Sequence, residues 1–269
     1  MLNLKLNCIP LNDLKILASN LGIPSKGSSS QIIKKILESN IDEEKIDEFI
    51  KQKYFEKIQE RRHTISDEDL KNEILQVKNF SWGIVQGQLD QKIQSIYVRK
   101  IVRYNDLINN VKLKLHDEIT NYVICAWYNH WTTVLIEEHI STHPNIVPTL
   151  KNIKGIDIFF KGLPFDLKVT YLPRDYNPQD ALKNPIDLAI WMYENQGAQR
   201  FGSENRLFVV LFDKKNPDKS WELKRDFNLV FNKIDKFLEE ETISKKDEIV
   251  FTFGRRTYTT VTKVIMITK

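Results

Sequence analysis

The chain has 269 residues, enough for one large domain and a small one. Charged residues make up 28% of it, the net charge is +4 and the sequence pI is near 8.8, a balance that permits nucleic-acid binding without demanding it. Cys8 and Cys125 lie far apart without metal-site spacing, which fits a reducing, cytoplasmic setting. The start MLNLKLNCIP lacks a signal-peptide pattern, no apolar run is long enough to span a bilayer, and no Gly-rich phosphate loop is present. Membrane insertion and P-loop nucleotide hydrolysis are therefore not expected.

Taken in chain order, Leu11, Leu14, Leu17, Ala18 and Leu21 predict a short amphipathic helix, closed by Gly22 with Pro24 just beyond. Lys26 to Ser30 reads as a turn that caps a second helix, whose apolar stripe is Ile32, Ile33, Ile36 and Leu37. Leu14, Leu21-Gly22-Ile23-Pro24, Gly27 and the isoleucine set resemble a SAP module, a helix-extended-helix DNA-binding motif, over residues 1–40. The resemblance implies binding to double-stranded DNA. Lys26, Lys34 and Lys35, with Ser28 and the free amides at the start of the second helix, are the candidate phosphate contacts. A two-helix protein-interaction hairpin is the other reading of the same pattern.

Residues 41–78 are highly charged with helical periodicity and read as a helical connector: Ile46, Phe49, Ile50, Tyr54 and Ile58, then a second helix capped by Thr64 or Ser66. A further helix is predicted from Trp82 to Tyr104, rich in glutamines (Gln86, Gln88, Gln91, Gln94). Arg99, Lys100 and Arg103 form a basic cluster there suited to a phosphate backbone.

Ile119, Tyr122, Val123, Ala126, Trp127, Val134 and Leu135 predict a helix over 117–141. Glu137 and Glu138 fall in its last turns, where acids oppose the helix dipole. Either is a candidate metal ligand, with Glu137 preferred, and a merely solvated helix end is the alternative.

Gly155 to Tyr171 reads GIDIFFKGLPFDLKVTY, two strands of β-branched and aromatic residues joined at Lys161-Gly162. Alternation places Asp166, Lys168 and Thr170 on one face and Phe165, Leu167 and Val169 on the core face, with Asp157 on the partner strand. Phosphodiester hydrolysis needs an activated water and a stabilised anionic transition state, and a divalent cation provides both. Mg²⁺ takes oxygen ligands, which Asp157, Asp166 and the Leu167 carbonyl can supply, and Lys168 beside them can orient water or neutralise phosphate.

A helical Glu, then Asp157, then Asp166-Leu167-Lys168 resembles the PD-(D/E)XK nuclease superfamily, particularly type II restriction endonucleases, over residues 79–269. Ile156 stands where that motif has Pro. The resemblance implies an α/β (α+β) domain with a mixed β-sheet flanked by helices, Mg²⁺ dependence (Mn²⁺ substituting), and cleavage leaving a 5′-phosphate. Catalysis would fall to Glu137, Asp157, Asp166 and Lys168. Cutting both strands of a palindrome calls for a homodimer.

Beyond the hairpin, Tyr171 to Asn184 reads as a loop that places Arg174 near passing substrate, and Pro185 opens a helix through Met192. Arg206 to Phe212 is a continuous apolar run suited to a central strand. Asp226 to Glu240 is an amphipathic helix. Strands follow at Ile249–Phe253 and Tyr258–Ile267, with Arg255 and Arg256 between them as phosphate-contact candidates. Two alternatives stay open: a structure-specific or repair nuclease of the same fold, and a DNA-binding protein without chemistry.

Overall fold

The computed structural model describes residues 1–39, 41–78, 80, 89, 91–197 and 201–269. Packing divides them into two units, Met1–Ile65 with Ile136–Lys269, and Ser66–Leu135.

The first unit is built on a mixed six-stranded sheet of order β1-β2-β3-β4-β6-β5. Its strands are β1 (Ile146–Ile153), β2 (Ile156–Phe160), β3 (Leu163–Tyr171), β4 (Arg206–Phe212), β5 (Glu248–Phe253) and β6 (Arg256–Thr268). β1–β2, β2–β3 and β5–β6 are antiparallel, whereas β3–β4 and β4–β6 are parallel. The turn between β2 and β3 is Lys161-Gly162, both with positive φ (48° and 81°). That is the signature of a tight hairpin turn whose twist matches the strands, and glycine meets it without strain.

Helices cover both faces. On one face Leu207, Val209 and Leu211 of β4 join Phe165 and Leu167 of β3, Ile136 and Ile140 of a long helix, and Val230, Ile234 and Leu238 of another. On the other, Phe208 and Val210 pack against Ala181, Leu188, Ala189 and Tyr193. β4 is buried along its whole length because both its faces are covered, which is why its sequence is continuously apolar.

The helices of this unit begin with α1 (Leu2–Asn7), a short element the sequence reading did not include. Next come α2 (Leu11–Asn20), α3 (Ser29–Glu38) and α4 (Glu43–Thr64). Gly22, φ 72°, ends α2, and the Ile23 amide returns to the Ala18 carbonyl at 2.8 Å. These helices share one core with the sheet: Leu6, Leu17, Ile32, Ile36, Ile46 and Ile50 are buried together with Val147 of β1 and Phe159 of β2. Residues 1–39 therefore pack as part of the sheet unit, and the packing units change at 65 and 135, whereas the sequence boundaries are drawn at 40 and 78.

In the second unit α5 (Asp67–Leu75) is capped by Ser66, whose hydroxyl accepts from the Asp69 amide. A π-helical stretch, Ile93–Val98, is followed by non-helical backbone and then α6 (Tyr104–Asn110), so the helix expected to run to Tyr104 stops before it. Trp82, Ile84, Gln86 and Gln88 of that expectation lie outside the described residues. A second π-helical stretch, Val111–Leu115, leads into α7 (His116–Ser141), whose end from Ile136 belongs to the first unit.

The remaining helices are α8 (Pro178–Lys183), α9 (Pro185–Glu194), α10 (Ser220–Leu223) and α11 (Phe227–Glu240). α8 corrects the loop expected there. Asn177 accepts from the Gln179 and Asp180 amides, and Pro178 takes the first helical position, where its missing N–H costs nothing. Among the described residues no helix is long and apolar enough to cross a membrane.

Candidate active site

The site forms where β2 and β3 part. Their ladder covers Ile158–Phe165, Phe159–Pro164 and Phe160–Leu163, after which β3 continues to Tyr171 paired with β4. Past the last of these pairs the Leu167 amide donates to Asp157 Oδ2 at 2.7 Å. An aspartate carboxylate thus takes the place of a strand partner. A strand residue's N–H and C=O point to the same edge, so the Leu167 carbonyl faces the Asp157 side as well.

Asp166 is placed by register. It lies opposite Arg206 on β4, and its amide donates to the Asn205 carbonyl at 2.9 Å. The expected wet face is not wet at this position: Asp166 is 8% exposed. Lys168 Nζ reaches its Oδ1 at 2.8 Å and Arg206 Nε its Oδ2 at 3.1 Å, so a buried carboxylate is matched by two cations. Arg206 is as hidden as Asp166, whereas the Lys168 side chain is 46% exposed.

The end of α7 separates its two glutamates. Arg61 of α4 holds Glu138 through two hydrogen bonds, from Nε at 3.2 Å and Nη2 at 2.5 Å. Glu137 instead makes no such pair among the described residues and lies within electrostatic reach of Asp157, Asp166, Lys168 and Lys224. Burial pushes its carboxyl up to about 7, helped by the negative charges of Asp157 and Asp166 and opposed by Lys168 and Lys224. Asp157 remains in reach of solvent, yet the protein around its carboxyl raises its pKa. The Leu167 amide and Lys168 work against that rise, and Asp166 adds to it. Tyr54 of α4 is raised to about 12 by burial, offset by a hydrogen bond with Ser141 and reinforced by Glu138, Glu137 and Asp157.

Lys224, just after α10, is 3% exposed and lies over the Tyr171 ring at 5.8 Å. Burial lowers its pKa to about 8, and Glu137 restores part of the loss.

The donor chemistry suits a hard divalent cation: oxygens alone, with Glu137 and Asp157 raised first by burial and then by neighbouring acids, a cost that a cation relieves. Closeness is what the side chains lack as they stand. Among the described residues no group of three His, Cys, Asp or Glu is gathered tightly enough to hold a metal ion, and both Asp166 oxygens are engaged. Coordination by Asp166 requires Lys168, the exposed one of its two partners, to swing away.

The candidate DNA contacts belong to several elements of the two units. Lys26 and Lys34 are exposed, with Lys34 3.8 Å from Glu38. Lys35 donates to the Pro24 and Lys26 carbonyls at 3.3 and 3.1 Å, tying down the turn before α3. Ser28 caps α3, but its own amide donates to Gln31 Oε1 at 2.9 Å and the Gln31 amide to Ser28 Oγ, so these two amides are taken. Arg174 is exposed, 3.8 Å from an equally exposed Asp218. Arg255 and Arg256 are exposed at the β5–β6 turn, and Arg99 and Arg103 are exposed in the second unit.

Sequence reasoning missed Arg206, Lys224 and Tyr54. The one available signal was the arginine heading an apolar strand, since a charge there needs a partner. No protein-family model, curated protein or solved structure matches this chain.

Proposed function

We propose that the chain is a metal-dependent endonuclease that hydrolyses duplex DNA, of the restriction type and acting as a homodimer. The supporting observation is the convergence of Asp157, Asp166 and Lys168 at the β2–β3 fork, with Glu137 within reach of their charges. The mixed sheet with helices on both faces is compatible with a restriction-endonuclease-like fold.

Asp157, Asp166, Glu137 and the Leu167 carbonyl would hold Mg²⁺, or Mn²⁺ in its place. Bound there, the cation supplies a water activated near neutral pH and positive charge against the scissile phosphate. Lys168, once off Asp166, can reach a phosphate oxygen or orient the attacking water. Glu137 would serve there in its ionised form, which a bound cation favours over the proton that burial otherwise holds on it. The α2–α3 pair, with Lys26 and Lys34 exposed, is the proposed SAP-like grip on the duplex.

A DNA-binding protein without chemistry is the rival reading, favoured by the two ion pairs that engage Asp166. Digesting a mixed-sequence plasmid with Mg²⁺ and with EDTA separates the possibilities. Discrete fragments that need Mg²⁺ support a restriction-type enzyme, a smear a non-specific nuclease, and intact plasmid the rival.

A further inference from the structure

Asp166 is held by two cations of opposite character. Lys168 reaches Oδ1 from a half-exposed, flexible stem, whereas Arg206 reaches Oδ2 from inside the protein. Arg206 is fixed on three sides. Its backbone pairs with Asp166 on β3 and Thr262 on β6. Its guanidinium lies 4.7 Å from the centroid of the Tyr193 ring. Tyr193 is fully buried, and its hydroxyl donates to the Glu204 carbonyl at 2.8 Å, so the ring cannot turn away.

The residue before it is pinned as well. Asn205 donates from its side-chain amide to the Pro164 carbonyl at 3.0 Å, and its Oδ1 accepts from the Thr260 hydroxyl at 3.1 Å and the Val261 amide at 2.9 Å. The head of β4 is therefore locked to both neighbouring strands at the level of Asp166. Space around Arg206 is also taken up: a Cβ added at Gly202 would run into Arg206 Nη2 and the Glu204 carboxylate.

We infer that Arg206 is a positioning residue: it fixes Asp166 Oδ2 and presents Oδ1 as the one oxygen available to a divalent cation, with Lys168 as the partner that the cation displaces. This rests on the proposed metal-dependent reading of the same site. It predicts opposite effects for two substitutions that each remove one positive charge. By Coulomb's law alone both would tighten cation binding. By positioning, only one does.

The test is calorimetric titration of the DNA-free full-length protein with MgCl₂, with thermal melting of each variant as a folding control. Lys168→Met is expected to bind Mg²⁺ more tightly than the wild type. Arg206→Met is expected to bind it more weakly, by about ten-fold, the lower end of what loss of an outer-sphere partner costs a metal site. Arg206→Lys, which keeps the charge but not the planar fork or the stacking, is expected to stay several-fold weak. It also serves as the second variant should Arg206→Met fail to fold. Arg206 variants that bind Mg²⁺ as tightly as the wild type or tighter overturn the inference, and wild type that still cuts DNA then keeps the nuclease reading intact. Wild type that neither binds Mg²⁺ nor cuts overturns both.

Discussion

Replacing Glu137 by Gln is expected to stabilise the protein at alkaline pH. Burial and two neighbouring acids raise this carboxyl from its ordinary value of 4.5 to about 7. A carboxyl that holds its proton more tightly when folded gives stability that is complete below pH 4.5 and lost as the pH rises through 7. The gap, at about 1.4 kcal/mol per pH unit, comes to roughly 3 kcal/mol by pH 8. Gln keeps the shape and carries no charge to desolvate. It also deprives the buried Lys224 of its anionic neighbour, but Lys224 already titrates near pH 8, so that loss is worth only about 0.5 kcal/mol there. Glu137→Gln should therefore exceed the wild type by about 2–3 kcal/mol at pH 8 and by less than about 1 kcal/mol at pH 5. Urea denaturation of both proteins at the two pH values measures this. A variant that unfolds at the same or a lower urea concentration than the wild type at pH 8 refutes the reasoning.

Asp157→Asn keeps an acceptor for the Leu167 amide while removing one charge from a crowded set, so it should fold with at least wild-type stability and lose any rise in melting temperature on adding Mg²⁺. Arg61→Met strands the Glu138 carboxylate, where both side chains are 16% exposed, and should cost about 2–3 kcal/mol in denaturant titration, a little less than a fully buried pair. It should leave Mg²⁺ binding unchanged, because Glu138 is not one of the site acids. Gly162→Ala meets no neighbour within 4 Å, so only the positive φ of 81° opposes it. The expected loss is about 1 kcal/mol, read as a melting temperature lower by a few degrees.

Much of the framework was legible because it depends on local chemistry. Lys161-Gly162 between two runs of β-formers could only be a tight hairpin, and its two positive φ values agree. The apolar run after Arg206 became a doubly covered strand, and the amphipathic helix expected over 226–240 is α11. What escaped depends on register and packing. Whether the arginine heading β4 faces Asp166 is decided by the β3–β4 pairing, which no spacing in the sequence encodes. Lys224 reads as an ordinary surface lysine, yet the fold buries it over the Tyr171 ring. The difference between Glu137 and Glu138 comes from Arg61, which pairs with Glu138 from 77 residues away along the chain. Pro178 reads as loop punctuation, but Asn177-Pro178 is equally a helix start, and α8 begins there. The apolar stripes of α2 and α3 announced a buried face but not that β1 and β2 would share it.

The central claim, that the β2–β3 fork does chemistry on DNA, is tested most directly by measuring duplex binding and Mg²⁺-dependent cleavage side by side for the wild type, Asp166→Ala and Lys168→Ala. All three are expected to bind duplex DNA with similar affinity, and only the wild type to cut it. Variants that still cut at the wild-type rate, or a wild type that leaves DNA intact in both Mg²⁺ and Mn²⁺, would contradict it.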